Sequence, residues 1–290
     1  TPNANLWRLN GLAIVNPNHT ANAGTFYDFS TLNGGGVNAI SAQMLDNSGF
    51  FSGGLPVEYG YATGGTFDLR LRPGAKQGAR QQVQAGFIGF DGMAEGPIGK
   101  SGKTSYLVNG RYSFTGLLAD MGVDFGGEEI RFADLNAHLH HQWDGGELSF
   151  FTILGQSSNV FRFTDEDGEG VTEQKELTDI DFTSDLQIYG LSLVNQLGVG
   201  KIRSGLSFSQ TDTDREQRLV VGESFVNQNV FDAQLNGSLS YHRPISAGEL
   251  TMGLEATLRA SDLTTQFDRL NGDRQRLYSA PRIYNVSPFF

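Results

Sequence analysis

Polar and apolar residues alternate strictly through most of this chain, and this pattern limits the folds that it can adopt. In 231–241 the positions that share one face are Phe231, Ala233, Leu235, Gly237, Leu239 and Tyr241. The segments 106–114, 133–143 and 250–260 show the same alternation. A period of two residues gives an extended chain one apolar and one polar face. The sequence therefore predicts a series of β-strands that each have one polar face and one apolar face.

The connections between these predicted strands fall into two lengths that alternate along the chain. The short ones contain glycine, and they lie at 101–103, 144–146, 199–200 and 246–248. Longer ones lie at about 119–131, 164–181 and 222–229, and another follows residue 268. Bacterial outer-membrane barrels have short turns on one side and long loops on the other, whereas soluble sandwiches do not segregate their loops. The pattern favours an all-β transmembrane barrel.

Aromatic residues lie beside the short connections. Trp143 and Tyr241 each end a predicted strand at such a turn, and Tyr106 begins a strand just after one. Aromatic girdles occupy this position at the membrane interface. Aromatics at the rim of a soluble β-core would look the same, so a soluble adhesin or lectin is an alternative.

Nine antiparallel strands are predicted, at about 80–90, 93–99, 104–118, 132–143, 147–163, 182–198, 201–221, 230–245 and 249–268. Bacterial single-chain barrels have even strand numbers, and an open edge leaves backbone donors unpaired in hydrocarbon. We therefore expect a partial barrel, continued outside this sequence. The tail 269–290, which contains Pro281 and Pro288, is predicted to be a loop.

Residues 1–78 lack this alternation and predict a small mixed α/β unit ahead of the barrel, which occupies 79–290. We expect a strand over Leu6–Val15, a loop over Asn16–Gly36 and a short helical turn over Val37–Leu45. Further strand regions are expected at 49–57 and over Gly64–Arg72.

Several motifs in the first 118 residues resemble TonB-dependent outer-membrane receptors. The segments Leu6-Trp7-Arg8-Leu9-Asn10-Gly11 and Asn16-Pro17-Asn18-His19 resemble the middle of the plug domain of that family. The segment from Met44 to Gly60, which includes Glu58 and Tyr59, is similar to a later part of the plug, and Gly64–Arg72 resembles the strand after it. Glu95-Gly96-Pro97-Ile98, expected at the first short turn, and Tyr106–Tyr112 resemble the opening hairpins of the family's barrel.

The resemblance implies the C-terminal half of a plug followed by the first part of a barrel, which in large transporters of this kind has about 22 strands. It also implies active import of a scarce nutrient, energised by the TonB complex and gated by the plug. The implied partners are outer-membrane lipid and lipopolysaccharide, and a small-molecule, glycan or peptide substrate. A structural or docking subunit of a larger assembly, with surface lipoproteins or other outer-membrane proteins as partners, is the alternative function.

Two groups of residues are candidate sites in the unit of residues 1–78. Asp68, Arg70 and Arg72 share one face of a predicted strand, and we expect them to contact acidic or polar residues of the barrel. The loop after Val15 is rich in small polar and aromatic residues, which suit a substrate-binding surface. Its candidate contact residues are Asn18, His19, Phe26, Tyr27 and Phe29.

Composition argues against several other functions. No stretch approaches the roughly 18 apolar residues of a spanning helix, so a helical membrane protein is excluded. The net charge of −11 argues against a nucleic-acid partner. The absence of cysteine removes disulfides, thiolate metal sites and cysteine nucleophiles. Because no serine, histidine and aspartate set is indicated either, we expect a protein that is not an enzyme.

Three local patterns hint at ligands without matching a full motif. Gly96–Thr104 resembles a phosphate-binding loop, but Pro97 breaks the spacing and a strand follows instead of a helix. His138 and His140 share a strand face and are weak candidates for a metal site. The acidic loop Asp165–Gly170 could hold calcium outside the cell, although its glycine comes too early for an EF-hand. No cofactor is otherwise expected.

Overall fold

A computed structural model of the chain describes residues 5–19, 37–53, 57–59, 64–86, 89–113, 128–162, 178–219, 225–246, 248–268 and 274–289. The strands in these ranges form two sheets, one of four strands and one of eleven. No α-helix occurs in the described ranges. Within them, no helical segment is long and apolar enough to cross a membrane.

The four-stranded sheet contains β1 (Leu6–Leu9), β2 (Leu12–Ile14), β3 (Gly49–Phe51) and β4 (Thr66–Leu69). Its order is β2-β1-β4-β3, with β1 and β4 parallel and the other pairs antiparallel. Short 3₁₀ turns lie at Ala42–Met44 and Val57–Tyr59. We call the described residues 5–78 the inner unit. Trp7 stacks on Phe67 with ring centroids 4.0 Å apart, which fixes β1 against β4.

The single strand predicted over Leu6–Val15 is wrong, because the chain reverses at Asn10-Gly11. Asn10 has φ 50° and Gly11 has φ 82°, so both occupy the left-handed region. Asn-Gly is the favoured pair for a tight hairpin turn with two positive φ angles. The turn leaves β2 at the edge of the four-stranded sheet.

The large sheet is antiparallel, and each strand from β5 to β13 pairs with the next one in sequence. The strands are β5 (Arg80–Gly86), β6 (Gly89–Ile98), β7 (Thr104–Ser113), β8 (Glu128–Trp143), β9 (Gly146–Phe161), β10 (Thr178–Leu197), β11 (Gly200–Leu219), β12 (Phe225–Ile245), β13 (Gly248–Asp268), β14 (Arg274–Ser279) and β15 (Arg282–Phe289). β14 and β15 pair with successive halves of β13.

All nine predicted strands are present with shifted ends, and two predictions around them are wrong. The tail 269–290, predicted as a loop, contains β14 and β15. Among the described strands both pair with β13, and Pro281 lies at the break between them. Glu95–Ile98 is not a turn but the end of β6, and the turn follows at 99–103.

The two faces of the large sheet differ in chemistry. The outer face carries exposed apolar side chains, which include Leu135, Leu139, Leu191, Leu206, Leu235, Leu239, Leu254 and Leu258. The inner face carries buried polar side chains, which include Asn109, Asn136, Ser207, Ser209, Asp232, Asn236 and Glu255. An exposed apolar surface of this extent requires lipid around it, as in an outer-membrane barrel.

The lipid-facing surface leads to a direct prediction for Leu254, which pairs with Leu239 and is 44% exposed. Replacing Leu254 with arginine should destabilise the barrel folded in a bilayer by about 2–4 kcal/mol, because the charge enters hydrocarbon. Urea titration of folding into lipid vesicles would measure this. Ser238→Arg, a charge on the inner face of neighbouring β12, is the control and should change folding much less. Equal losses in both variants would contradict this orientation of the sheet.

Candidate functional site

A continuous hydrophobic core joins the inner unit to the inner face of the large sheet. The inner unit contributes Leu9, Leu12, Ile14, Val15, Ala39, Ile40, Met44, Leu69 and Leu71. The large sheet contributes Met93, Leu107, Phe151, Ile153, Leu186 and Ile188. The last five of these sheet residues are at most 2% exposed. The inner unit is therefore seated on the sheet by burial of apolar surface.

The free edge of β2 is bonded by side chains of β11 and β12 instead of by another strand. Ser207 Oγ donates to the carbonyl oxygen of Ala13 at 2.8 Å, and Asn236 Oδ1 accepts from the Ala13 N–H at 3.2 Å. Just beyond β2, Ser209 Oγ accepts from the Val15 N–H at 3.0 Å. Buried backbone groups of an edge strand need such partners. The sheet thus recognises the backbone of the inner unit.

Arg8 makes a buried ion pair with the large sheet, and its residue is only 5% exposed. Its Nη1 lies 3.0 Å from Glu255 Oε2 on β13, and the same nitrogen donates to the carbonyl of Glu58 at 2.9 Å. Nη2 donates to the carbonyl of Gly11 at 2.7 Å, and the guanidinium lies 5.3 Å from the centre of the Tyr59 ring. These contacts compensate the buried charge, while the Arg8 Nε is buried without a hydrogen-bond partner among the described residues.

Tyr59 and the predicted contact residues Asp68 and Arg70 bond to one another within the inner unit. The Tyr59 hydroxyl donates to Asp68 Oδ2 at 3.1 Å. Burial, and then the nearby carboxylates of Asp68 and Glu58, raise the pKa of the Tyr59 phenol, so the phenol stays protonated as a donor. Arg70 Nη2 lies 3.3 Å from Asp68 Oδ2, and the Arg70 side chain is 56% exposed. In the described ranges, neither Asp68 nor Arg70 pairs with a charged residue of the large sheet.

Arg72, the third predicted contact residue, does reach the large sheet. Its Nη1 lies 2.5 Å from Glu95 Oε2 on β6, and its Nε donates to the carbonyl of Gln43 at 2.7 Å. The same Glu95 oxygen accepts from the Ala75 N–H at 3.0 Å. Glu95 thus fixes the end of the inner unit, just before β5.

His19 lies in a buried ionic cluster and not on an open surface. Its Nε2 is 3.0 Å from Asp134 Oδ2 on β8, and its residue is 1% exposed. Arg111 on β7 binds Asp134 through Nη2 at 2.6 Å and also donates to the carbonyl of Asn38. Asn18 forms a bridge with Asn38. The other predicted substrate contacts, Phe26, Tyr27 and Phe29, lie outside the described residues, as does Gly60.

His138 and His140 face the inner side of β8, and both rings bond to protein groups. His138 contacts the carbonyl of Arg72 through Nδ1 at 3.0 Å and Ser149 Oγ through Nε2 at 2.5 Å. His140 Nε2 lies 3.2 Å from Glu147 Oε2. Within the described ranges, no three histidine, aspartate or glutamate side chains are placed to hold a metal ion. The acidic loop Asp165–Gly170 lies outside these ranges.

Several residues of this interface could not be singled out from the sequence. Arg8 lies 247 positions from Glu255, and His19 lies 115 positions from Asp134. The sequence does show that Glu255 is a charged residue at a polar position of the alternating segment 250–260. That signal identifies the inner face of the sheet, but it does not identify the partner.

These features together define the wall of an outer-membrane β-barrel with a small unit packed against its lumenal face. No family model and no curated protein sequence matches the chain. Among solved structures, the ferric preacinetobactin receptor of Acinetobacter baumannii matches with a TM-score of 0.60 at 10% identity, over 94% of this chain and 42% of that one. The ferripyoverdine receptor of the Pseudomonas aeruginosa outer membrane matches with a TM-score of 0.57 at 10% identity, over 98% of this chain and 46% of that one.

A third match is the alcaligin outer-membrane receptor of Bordetella pertussis, with a TM-score of 0.55 at 12% identity, over 98% of this chain and 42% of that one. The chain therefore has the fold of part of a TonB-dependent outer-membrane receptor, as the motifs predicted. These matches are receptors and not enzymes. The chain spans less than half the length of each of these three structures.

Proposed function

We propose that this chain belongs to an outer-membrane receptor that imports a scarce nutrient with energy from TonB, and that the inner unit is part of its plug. The observation that carries this proposal is the mixed contact between the inner unit and the sheet. A buried apolar core seats the unit, while polar contacts such as Arg8–Glu255 and Ser207–Ala13 complete the interface. Polar contacts can be exchanged for contacts with water, so the unit can move without the barrel unfolding.

Iron chelates are the first substrate class to test, because the matched structures include receptors for ferric preacinetobactin and ferripyoverdine. The buried ion pairs of the interface suit a plug that closes the lumen until energy is supplied. Uptake by such a receptor requires an interaction that stabilises the open state of the plug relative to the closed state. TonB would provide this interaction by pulling on the plug.

The test is uptake of ⁵⁵Fe(III) bound to the chelators that the source bacterium releases in low-iron medium. Cells lacking this gene should lose most uptake of one such chelate, by roughly ten-fold or more, because the outer membrane gives it no other efficient route. Deleting TonB or adding a protonophore should cause the same loss. A matched strain with the gene restored is the control. Unchanged uptake in the absence of TonB would contradict the proposal.

A further inference from the structure

The inner face of the large sheet divides into two walls of different chemistry beside the inner unit. The apolar wall consists of Leu107 on β7, Phe151 and Ile153 on β9, and Leu186 and Ile188 on β10. Between them, the inner face of β8 carries the buried polar side chains of Asn136 and His138. The polar wall is the inner face of β11–β13 from His242 and Thr251 up to Asp232. Its residues at the inner unit are Ser207, Ser209, Gln234, Asn236, Glu255 and Thr257.

Separation of the inner unit from the apolar wall would be unfavourable. The wall residues share one buried cluster with Leu9, Leu12, Ile14 and Met44, so separation would expose apolar surface of both partners to water. On the same side, the carbonyl of Ala39 accepts from Asn136 Nδ2 at 3.0 Å, and His19 is buried against Asp134. This side of the interface is therefore the stronger attachment.

Separation from the polar wall would break contacts that water can replace. The groups bonded there are the N–H and carbonyl of Ala13, the N–H of Val15 and the guanidinium of Arg8. Arg8 would keep the Glu58 and Gly11 carbonyls, and Glu255 would keep Asn236, whose Nδ2 donates to Glu255 Oε1 at 2.9 Å. Arg8 and Glu255 each retain part of their hydrogen bonding. Separation from the polar wall therefore costs less free energy than separation from the apolar wall.

A cavity already lies beside the polar wall. It has a volume of about 370 Å³ and extends between the inner unit and β8–β13. On β10–β13 it is lined by Ser192, Ser238, Ser240, His242 and Glu255, and on β8 and β9 by His138, His140 and Ser149. The strands continue beyond it with Ser207, Ser209, Asn236, Gln234 and Asp232 on the same face. Detachment of the β1–β2 hairpin would therefore join this cavity to a continuous polar surface.

We propose that the inner unit stays attached to the apolar wall during transport and separates from the polar wall, so that solute passes along β11–β13. This inference rests on the proposed function and specifies its route. Hydroxyl, amide and carboxylate groups line the route, and they suit a hydrophilic solute rich in hydrogen-bonding groups. Movement of Arg8 away from Glu255 would also leave a carboxylate on the route, which favours solutes carrying positive charge or donors.

This sequence contains no cysteine, so a cysteine placed in it reports on its own wall when labelling is compared with that of the unsubstituted receptor. Ser209→Cys on the polar wall and Ile153→Cys on the apolar wall are matched, since both parent residues are 0% exposed. Cells with the receptor as its gene encodes it would be treated with fluorescein maleimide, with and without a protonophore. Energised cells should label Ser209→Cys at least about five-fold faster than de-energised cells, and Ile153→Cys at the same rate in both. Faster labelling of Ile153→Cys, or no change at Ser209→Cys, would overturn the route.

Disulfide tethers give a second test that does not depend on labelling. Leu12→Cys with Gly205→Cys would tie the inner unit to β11, where the Leu12 methyl Cδ2 lies 2.7 Å from a Cβ built at Gly205. Ala39→Cys with Gly155→Cys would tie it to β9, where the Ala39 Cβ lies 3.5 Å from the position of a Cβ at residue 155. That position also lies 2.7 Å from His19 Cε1, so the His19 ring must shift and each variant is compared with its own reduced form. Oxidation should abolish ⁵⁵Fe(III)-chelate uptake only in the first variant, and a reductant should restore it.

The two proposals fail in distinguishable ways. Uptake that survives oxidation of the Leu12–Gly205 tether, or stops with the Ala39–Gly155 tether, overturns the route while import stands. Energy-dependent labelling of Ser209→Cys without any TonB-dependent uptake of iron chelates supports the route and rejects the proposed substrate class.

Discussion

Replacing Glu255 with alanine is expected to weaken attachment of the inner unit by about 3–5 kcal/mol, because the Arg8 guanidinium would stay buried without its carboxylate. Arg8 would keep the Glu58 and Gly11 carbonyls, which places the expected loss toward the lower end. The same change also removes one acceptor of Asn236 Nδ2, which keeps Thr257 Oγ1 at 2.9 Å. The main loss is therefore the ion pair, with a smaller effect on the bond between Asn236 Oδ1 and the N–H of Ala13 at the edge of β2.

Limited proteolysis of the inner unit in the membrane-embedded receptor would measure this loss, since cleavage follows the population of the detached state. Arg70→Ala is the matched control, because it removes an arginine whose side chain is 56% exposed and should change attachment by at most about 1 kcal/mol. Arg8→Met with Glu255→Leu should recover much of the stability, since it leaves no unpaired charge. Equal cleavage of Glu255→Ala and Arg70→Ala would show that the Arg8–Glu255 pair does not hold the unit.

Replacing Asp134 with alanine should have the second largest effect, also about 3–5 kcal/mol, because several buried donors lose one acceptor. Asp134 accepts from Arg111 Nη2 at 2.6 Å and from Asn136 Nδ2 at 3.0 Å, and its Oδ2 lies 3.0 Å from His19 Nε2. Its side chain is 0% exposed. Arg111 and Asn136 in turn hold the carbonyls of Asn38 and Ala39, so the loss should reach the inner unit.

Hydrogen exchange read by mass spectrometry would locate this effect. The amide hydrogens of His19 and Ala39 bond to the Val37 and Pro17 carbonyls and should exchange faster in Asp134→Ala. Asp185→Ala on β10 is the control, since that carboxylate lies at an exposed position and, among the described residues, bonds only Gln156 on the neighbouring strand. Unchanged exchange at His19 and Ala39 would mean that the Asp134 cluster stabilises the barrel alone.

The sequence predicted the barrel strands well because lipid on one side and water or protein on the other enforce a period of two. Proline lacks the N–H that a strand interior needs, and the tail with Pro281 and Pro288 was therefore predicted as a loop although it forms β14 and β15. The inner unit has no lipid-facing surface, so its strands lack a periodic signal. Only the Asn10-Gly11 pair marks its hairpin locally.

The candidate site was harder to predict than the fold because its contacts join distant parts of the chain. Asp68 and Arg70 share a face and are two positions apart, and they pair with each other instead of with the barrel. Arg72 does reach Glu95, which follows closely in sequence. Arg8, the most deeply buried of these arginines, has its carboxylate partner 247 residues away, and no local pattern encodes that distance.

The length of β10–β13 has a consequence for the outside of the cell. β10 and β11 have 20 residues and β12 and β13 have 21. At about 3.3 Å per residue and a tilt near 45°, such strands rise roughly 45–50 Å, whereas the apolar band of these barrels is about 25 Å tall. The wall must therefore extend beyond the hydrocarbon of the membrane into the polysaccharide layer of the cell surface. Arriving molecules would therefore meet the ends of paired strands well above the hydrocarbon.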